Sequence, residues 1–553
     1  MRASGVMIAL ALWMAPAAIA ADGLSSAAVG YICSAERDPA PPGGERRLVM
    51  VPGVGTGGFP IVTPKREAQA WFDYGMRLAH AFYHEDAKLA FKRARDIDPG
   101  CAMCAWGEAW ADGPTINFDV DTAARRGAGA MLVKASALAG SESAKNRALI
   151  DALKQRYDGP APAADIAFAK AMDALSRLYP DDDEIAILTS DAWLELSQIH
   201  HDDQGVARAV AVLEPVLARH PDNTGAIHFY IHATEVAGDP ARALPYADRL
   251  GALAPGASHL VHMASHTFFR VGRYEDAATV NARAILVDGD YLRTAHDASV
   301  QGKVPYHAHN LRFGLAGAMA SGDGALAVRL ADHAAYAFPA AISHDVNGQF
   351  SLGAGEVALG RYAPDRALGL ADPGPGSPFV AALRHYARGE AFASRGDAAG
   401  VKTEAALLQA QIDAADKTGP PFKGSAGAVV RIAELTLRGR AAMLEGQPKT
   451  AATFFGAAAA LQDADLSYKG AYDPPPWWYP ERRSQAAALL ADGQPARAAD
   501  VARAALKAWP HEPLTLEVLG RAERAAGQGE AAARDLAEAE RTWRGGPVDL
   551  ARM

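Results

Sequence analysis

Cysteine is nearly missing from this 553-residue chain: only Cys33, Cys101 and Cys104 are present. A four-cysteine zinc site would need a second pair and is excluded. Cys101 and Cys104 form a C-x-x-C at a predicted helix start, but the β-α-β setting of a redox motif of that spacing is absent. A structural bridge from Cys33 to Cys101 or to Cys104 is the better reading, and the choice between them stays open. After the N-terminus no apolar run approaches the ~18 residues of a membrane span. There is no basic tract and the net charge is −9, so nucleic acid is not an expected partner; the acidity favours solubility. Strand-type alternation is scarce, while alanine, the best helix former, is abundant.

The N-terminus reads as an export signal over residues 1–20. Arg2 supplies the positive region, Val6 to Met14 the apolar run, and Ala18-Ile19-Ala20 a small-residue cleavage pattern. The run is too short to span a membrane. A periplasmic or secreted protein is expected, in a compartment that permits a disulfide. Residues 21–65 read as a loop-rich leader with Pro/Gly breaks at 38–47 and 53–58. The glycines at 53–58 lack the Lys-Ser/Thr ending of a phosphate-binding loop.

From residue 66 the chain repeats. Blocks starting at Ser190, Thr224 and Ser258 are spaced by 34, with small residues such as Ala209, Ala243 and Ala277 at position 20 and Pro221 and Pro255 at position 32. An earlier block starts at Ala68, a later one at Ala308, and two more at Tyr479 and Pro513. This is the length and pattern of the tetratricopeptide (TPR) helix-turn-helix. The expected fold is all-α, a TPR-type solenoid in which antiparallel helix pairs wind into a right-handed superhelix. Residues 66–372 form its first part, and residues 373–553, after a Pro/Gly break, a second part of TPR-like helical repeats. About 16 residues, 292–307, interrupt the frame and carry His296, Tyr306 and His307; such insertions tend to lie on the binding face.

The histidines cluster in this register. Eight of 17 fall between 228 and 309, against about 2.5 by proportion, and such enrichment is a metal-site cue. Shifted by 34, His228 falls on His262 and His232 on His266. His259 and His309 each occupy position 2 of their repeat, and Glu235 lies one turn beyond His232. Positions 2, 5, 9 and 12 of a first helix face the concave groove, and spacings of three and four keep them on one face. Neighbouring helices at roughly 8–10 Å let imidazoles converge on one ion.

Four stretches, 72–109, 220–235, 245–277 and 472–490, resemble a family of exported bacterial TPR proteins that has no established reaction. The resemblance implies a histidine set of His84, His228, His232, His259, His262, His266 and His309, with Glu235. This chain departs from the pattern at Met263-Ala264-Ser265, where the family reads a proline, and before Asn310, where His307 is added.

Two classes of function follow. A binding or scaffold protein would take a peptide, protein or small molecule in the concave groove, the usual work of solenoids. A metal protein would use His228, His232, His262 and His266 as ligands of zinc, copper, iron or nickel. His259 and His309 would then be outer ligands or supports, and Glu235 a ligand or the catalytic general base. Whether such a site runs a hydrolytic or oxidative reaction, or only handles metal in the periplasm, is open at this stage. The H-E-x-x-H of a metalloprotease is absent, since Phe229 follows His228.

The aromatic stretch at 472–480 is read equally as a plug between repeats or as a pocket wall with Arg482 for an anion.

Overall fold

The computed structural model describes residues 48–295, 306–339, 346–374, 377–418, 425–466 and 476–553. Among them are 24 α-helices and no strand. In chain order these are α1 (Arg66–His80), α2 (His84–Ile97), α3 (Ala102–Ala111), α4 (Thr122–Leu138), α5 (Ala144–Tyr157), α6 (Ala163–Leu178), α7 (Asp183–His200) and α8 (Val206–Arg219). Then come α9 (Thr224–Val236), α10 (Leu244–Leu253), α11 (Ser258–Arg270), α12 (Tyr274–Ala295), α13 (His307–Ser321), α14 (Gly324–Ala337), α15 (Val346–Tyr362) and α16 (Pro364–Leu368). The series closes with α17 (Pro378–Ser394), α18 (Ala398–Thr418), α19 (Ser425–Leu444), α20 (Pro448–Asp465), α21 (Glu481–Ala491), α22 (Pro495–Ala508), α23 (Pro513–Ala525) and α24 (Gly529–Thr542). Each helix packs mainly on its sequence neighbours and on the next first helix along, as α9 does on α11 and α11 on α13. That is the packing of an all-α TPR-type solenoid.

The 34-residue frame sets three of the first-helix starts. α9, α11 and α23 begin at Thr224, Ser258 and Pro513, as the repeat predicts. α7 begins seven residues earlier than its repeat, because Asp182 caps it by accepting from the Ile185 N–H and because Ile185, Ile187 and Leu188 are buried. α12 runs through the first part of the expected insertion to Ala295, burying Tyr291, Leu292 and Ala295. Residues 296–305 of that insertion, with His296, lie outside the described residues.

Residues 48–64 carry no helix and lie across the ends of the first helices. The Gly256 N–H donates to the Gly53 carbonyl at 2.8 Å, and the Thr56 N–H to the Thr224 hydroxyl at 2.7 Å. The Gly58 N–H donates to Glu184 at 2.8 Å. Contact this close explains the glycines: at Gly55, φ +96°, a Cβ would stand 2.5 Å from the Thr224 hydroxyl. The far end of the chain also returns. The Tyr274 hydroxyl donates to the Pro510 carbonyl at 2.9 Å, Phe269 packs on Trp509 at 5.7 Å, and Arg544 pairs with Glu275 at 2.7 Å.

The cysteine expectation is overturned. Cys101 and Cys104 are bonded to each other, with Cα atoms 5.4 Å apart. Cys101 caps α3 and Cys104 lies in its first turn, so the helix itself brings the two side chains together. Both are fully buried, and Cys33 lies outside the described residues. Of the aromatic stretch, Trp477, Trp478 and Tyr479 are buried, and the Trp477 indole donates to Glu481 at 2.7 Å. Arg482 is paired with Asp463. Residues 472–475 lie outside the described residues. Among the described residues no helix is long and apolar enough to cross a membrane.

Candidate metal centre

α9 and α11 are buried on all sides. Thr224 to Glu235 and Ser258 to Phe269 are all buried, as helices without a polar face must be. Asn223 fixes the start of α9 by accepting from the Ala226 N–H at 3.0 Å. One turn apart on α9 stand His228 and His232; one turn apart on α11 stand His262 and His266, and His309 comes from α13. The six histidines predicted from the sequence meet here in two groups, His228/His232/His259 and His262/His266/His309. Within each group one nitrogen per ring lies within 4.8 Å of the others. The groups adjoin: His232 and His266 rings are 5.4 Å apart, and His259 and His262 rings 5.6 Å.

The second nitrogens fix the tautomers. His228 Nδ1 lies 2.6 Å from the His80 carbonyl oxygen, which only accepts, so Nδ1 carries the proton. That carbonyl is one that the end of α1 leaves without a helical partner. Asn281 donates through Nδ2 to the Ala277 carbonyl at 2.7 Å, which turns its oxygen to His262 Nδ1 at 2.6 Å. His266 Nδ1 lies 2.9 Å from Glu235. In the neutral form each of these rings turns the lone pair of Nε2 to the cluster. His262 and His266 do so to each other across 3.1 Å. His228 Nε2 lies 3.2 Å from His259 Nε2, and His232 Nε2 is buried with no protein partner.

Burial pushes the His228 imidazole down to about 3 and holds His232 and His259 well below the usual histidine range, with neighbouring imidazoles adding to the shift. The rings are neutral, the state in which imidazole binds metal. Glu235 is turned away from the open nitrogens. One oxygen accepts from His266 and the other from Arg270 Nε at 2.9 Å. This is the position of a carboxylate that orients a ligand.

Several features of the site lie beyond sequence reasoning. The α1–α2 turn inserts Phe82 among the histidines, its ring 4.3 Å from that of His228, 4.9 Å from His259 and 5.8 Å from His232. Phe82 has φ +60°, strained for a residue with a side chain. Tyr306 covers His259 at 4.5 Å and accepts from Asn117 at 3.0 Å. Where an open concave groove was expected, the chain's own turn fills it. His84 stacks on Phe82 at 5.3 Å but joins neither group. His307 turns away, bonded to Asp288 and to His333, each at 2.8 Å. A signal for Phe82 exists only in its neighbourhood, AFYH between two helical patterns; nothing in the sequence ties it to a histidine nearly 150 residues on. A cavity of about 930 Å³ opens elsewhere, beside Arg125, Lys154, Arg156 and Tyr157, and none of the six histidines lines it.

No protein-family profile matches the chain, and no curated protein matches it. Solved structures of similar architecture include the human IFIT1 dimer with m7Gppp-AAAA, at 12% identity over 87% of this chain and 91% of that one, TM-score 0.31. The TPR domain of P58(IPK) aligns at 13% identity over 66% and 95%, TM-score 0.21. The APC/C hetero-tetramer Cut9–Hcn1 aligns at 12% over 88% and 95%, TM-score 0.23. Superpositions this loose carry nothing about the site. By its helix pairs and their 34-residue period, the chain is a tetratricopeptide-type repeat protein.

Proposed function

We propose that this protein is an exported repeat scaffold that holds a transition metal on the histidines of α9, α11 and α13. One observation carries the reading. His262 and His266 both give their Nδ1 proton to acceptors, yet their Nε2 atoms stand 3.1 Å apart. As neutral rings the two would repel, lone pair against lone pair. A cation between them removes the conflict. Nitrogens bound to one ion at roughly 2.0–2.1 Å stand about this far apart. A shared proton is the alternative, but it would have to sit among further buried imidazoles while Arg270 already neutralises Glu235.

The anchoring groups support the same reading. Metal-bound histidines donate their other N–H to carboxylates and backbone carbonyls, and here those groups are Glu235 and the His80 carbonyl. Zinc, copper or iron would suit an all-imidazole set. Bound there, such an ion supplies Lewis acidity or electron transfer at its open position. Glu235 orients His266 rather than serving as catalytic base. The closed, ring-lined site suits an ion or a very small ligand, which favours metal handling over turnover of a large substrate. The Arg2, Val6–Met14 and Ala18–Ala20 pattern supports the export part of the reading.

The test is metal content by mass spectrometry, on protein without a polyhistidine tag, beside a His232→Ala/His266→Ala variant. Stoichiometric transition metal in the parent, lost in the variant, is expected. A parent that stays metal-free after reconstitution overturns the reading.

A further inference from the structure

The two histidine groups are the same group twice. The first takes positions 5 and 9 of α9, His228 and His232, and position 2 of α11, His259. The second takes positions 5 and 9 of α11, His262 and His266, and position 2 of the repeat that starts at Ala308, His309 on α13. In both, two imidazoles one turn apart on one first helix are completed by the imidazole at the start of the next. α9, α11 and α13 are successive first helices, and each consecutive pair supplies one group. Only the 16 extra residues before α13 disturb the sequence spacing. The arrangement goes no further: positions 5 and 9 of the repeat that starts at Ala308 are Arg312 and Ala316, and those of the repeat that starts at Ser190 are Leu194 and Gln198.

We infer that the repeat builds two equivalent three-histidine sites side by side, and that the protein holds a pair of metal ions rather than one. The inference rests on the metal reading above and adds the number and kind of ions. α11 is shared, giving His259 to one site and His262 and His266 to the other. Rings of different sites approach to 5.4 and 5.6 Å, close enough for one small ligand to touch both ions.

Charge selects the kind of ion. Burial holds His228, His232 and His259 neutral, the one carboxylate at the cluster, Glu235, is balanced by Arg270 at 2.9 Å, and Arg312 places a further positive charge 3.3 Å from His309 Nδ1. Two dications would bring four uncompensated charges into a buried site, a heavy penalty. Two monovalent ions bring half as many. Among metals that favour imidazole, copper has a stable monovalent state, so a cuprous pair fits better than a zinc pair.

The experiment is anaerobic titration of the whole, metal-free protein with cuprous ion against a chromophoric chelator, with zinc in a parallel arm. Two cuprous ions per chain are expected, held more tightly relative to free ion than zinc. His232→Asn and His309→Asn, in different groups, should each lose one ion and keep the other; the retained ion reports that the variant is folded. His333→Ala, outside both groups, should keep both. Saturation at one ion per chain, or loss of all binding in a single-group variant whose circular dichroism is unchanged, overturns the paired site while leaving metal binding intact. Tighter zinc than copper overturns the charge argument. No binding of either ion by the parent defeats the metal reading itself.

Discussion

His262 and His266 lie one turn apart on α11 with their Nε2 atoms 3.1 Å from each other and their Nδ1 atoms tied to Asn281 and Glu235. The anchors turn two rings inward that would repel if nothing lay between them.

Glu235 acts on the centre through His266. Replacing it with glutamine keeps the shape but removes the charge that fixes the Nδ1 proton and pairs with Arg270. Metal affinity should fall roughly 10–100-fold, the usual effect of losing such a support, with the number of ions at saturation unchanged. Competition titration against a chelator measures this. A lost ion at saturating metal would show that Glu235 is itself a ligand.

Phe82 closes the site. It is buried and ringed by His84, His228, His232 and His259. Phe82→Ala should cost about 3–5 kcal/mol, as for other buried phenylalanines, and should speed metal release to an external chelator. Unchanged release at reduced stability would show that the ring packs the core without gating the ions.

Acid should weaken the metal-free protein. Burial holds the His84 and His333 imidazoles down at about 3, from 6.5. The unfolded chain takes up these protons near pH 6.5 and the folded chain only near 3. Between those limits the unfolded state binds more protons, so stability falls as pH drops through the window, by about 1.4 kcal/mol per pH unit for each ring. Urea unfolding at pH 7.5 and 5.5 reads the difference; equal stabilities would contradict the burial of neutral rings.

The Cys101–Cys104 bond closes a very short loop, so breaking it should cost only about 2 kcal/mol. Both cysteines fall between the same trypsin sites, with no Lys or Arg from Asp96 to Ala124. Mapping of the unreduced protein should find them bonded within one peptide and the Cys33 peptide carrying a free thiol. A Cys33 peptide linked to theirs would contradict the pairing.

The repeat was legible in the sequence because small residues and prolines mark its frame every 34 positions. Shifting that frame brings His228 onto His262 and His232 onto His266 with no structural knowledge. How the six histidines divide was not legible. His259 precedes His262 by three residues, yet it completes the group on the helix before, because a residue at the start of a first helix faces back across the groove. Phe82 and the His80 carbonyl reach α9 through the closure of the first helix pair on the fifth, a long-range contact with no local signature. The disulfide pairing was not legible, because helix geometry at Cys101 supplies a partner three residues away. The glycines at 53–58 read only as loop until Thr224 stood against Gly55.

The most direct test is X-ray absorption at the metal edge of the loaded, untagged protein. The account predicts a first shell of about three nitrogens at roughly 2.0 Å, the outer-shell scattering pattern of imidazole rings, and no sulfur. A shell dominated by carboxylate or water oxygen, without the imidazole pattern, would contradict it.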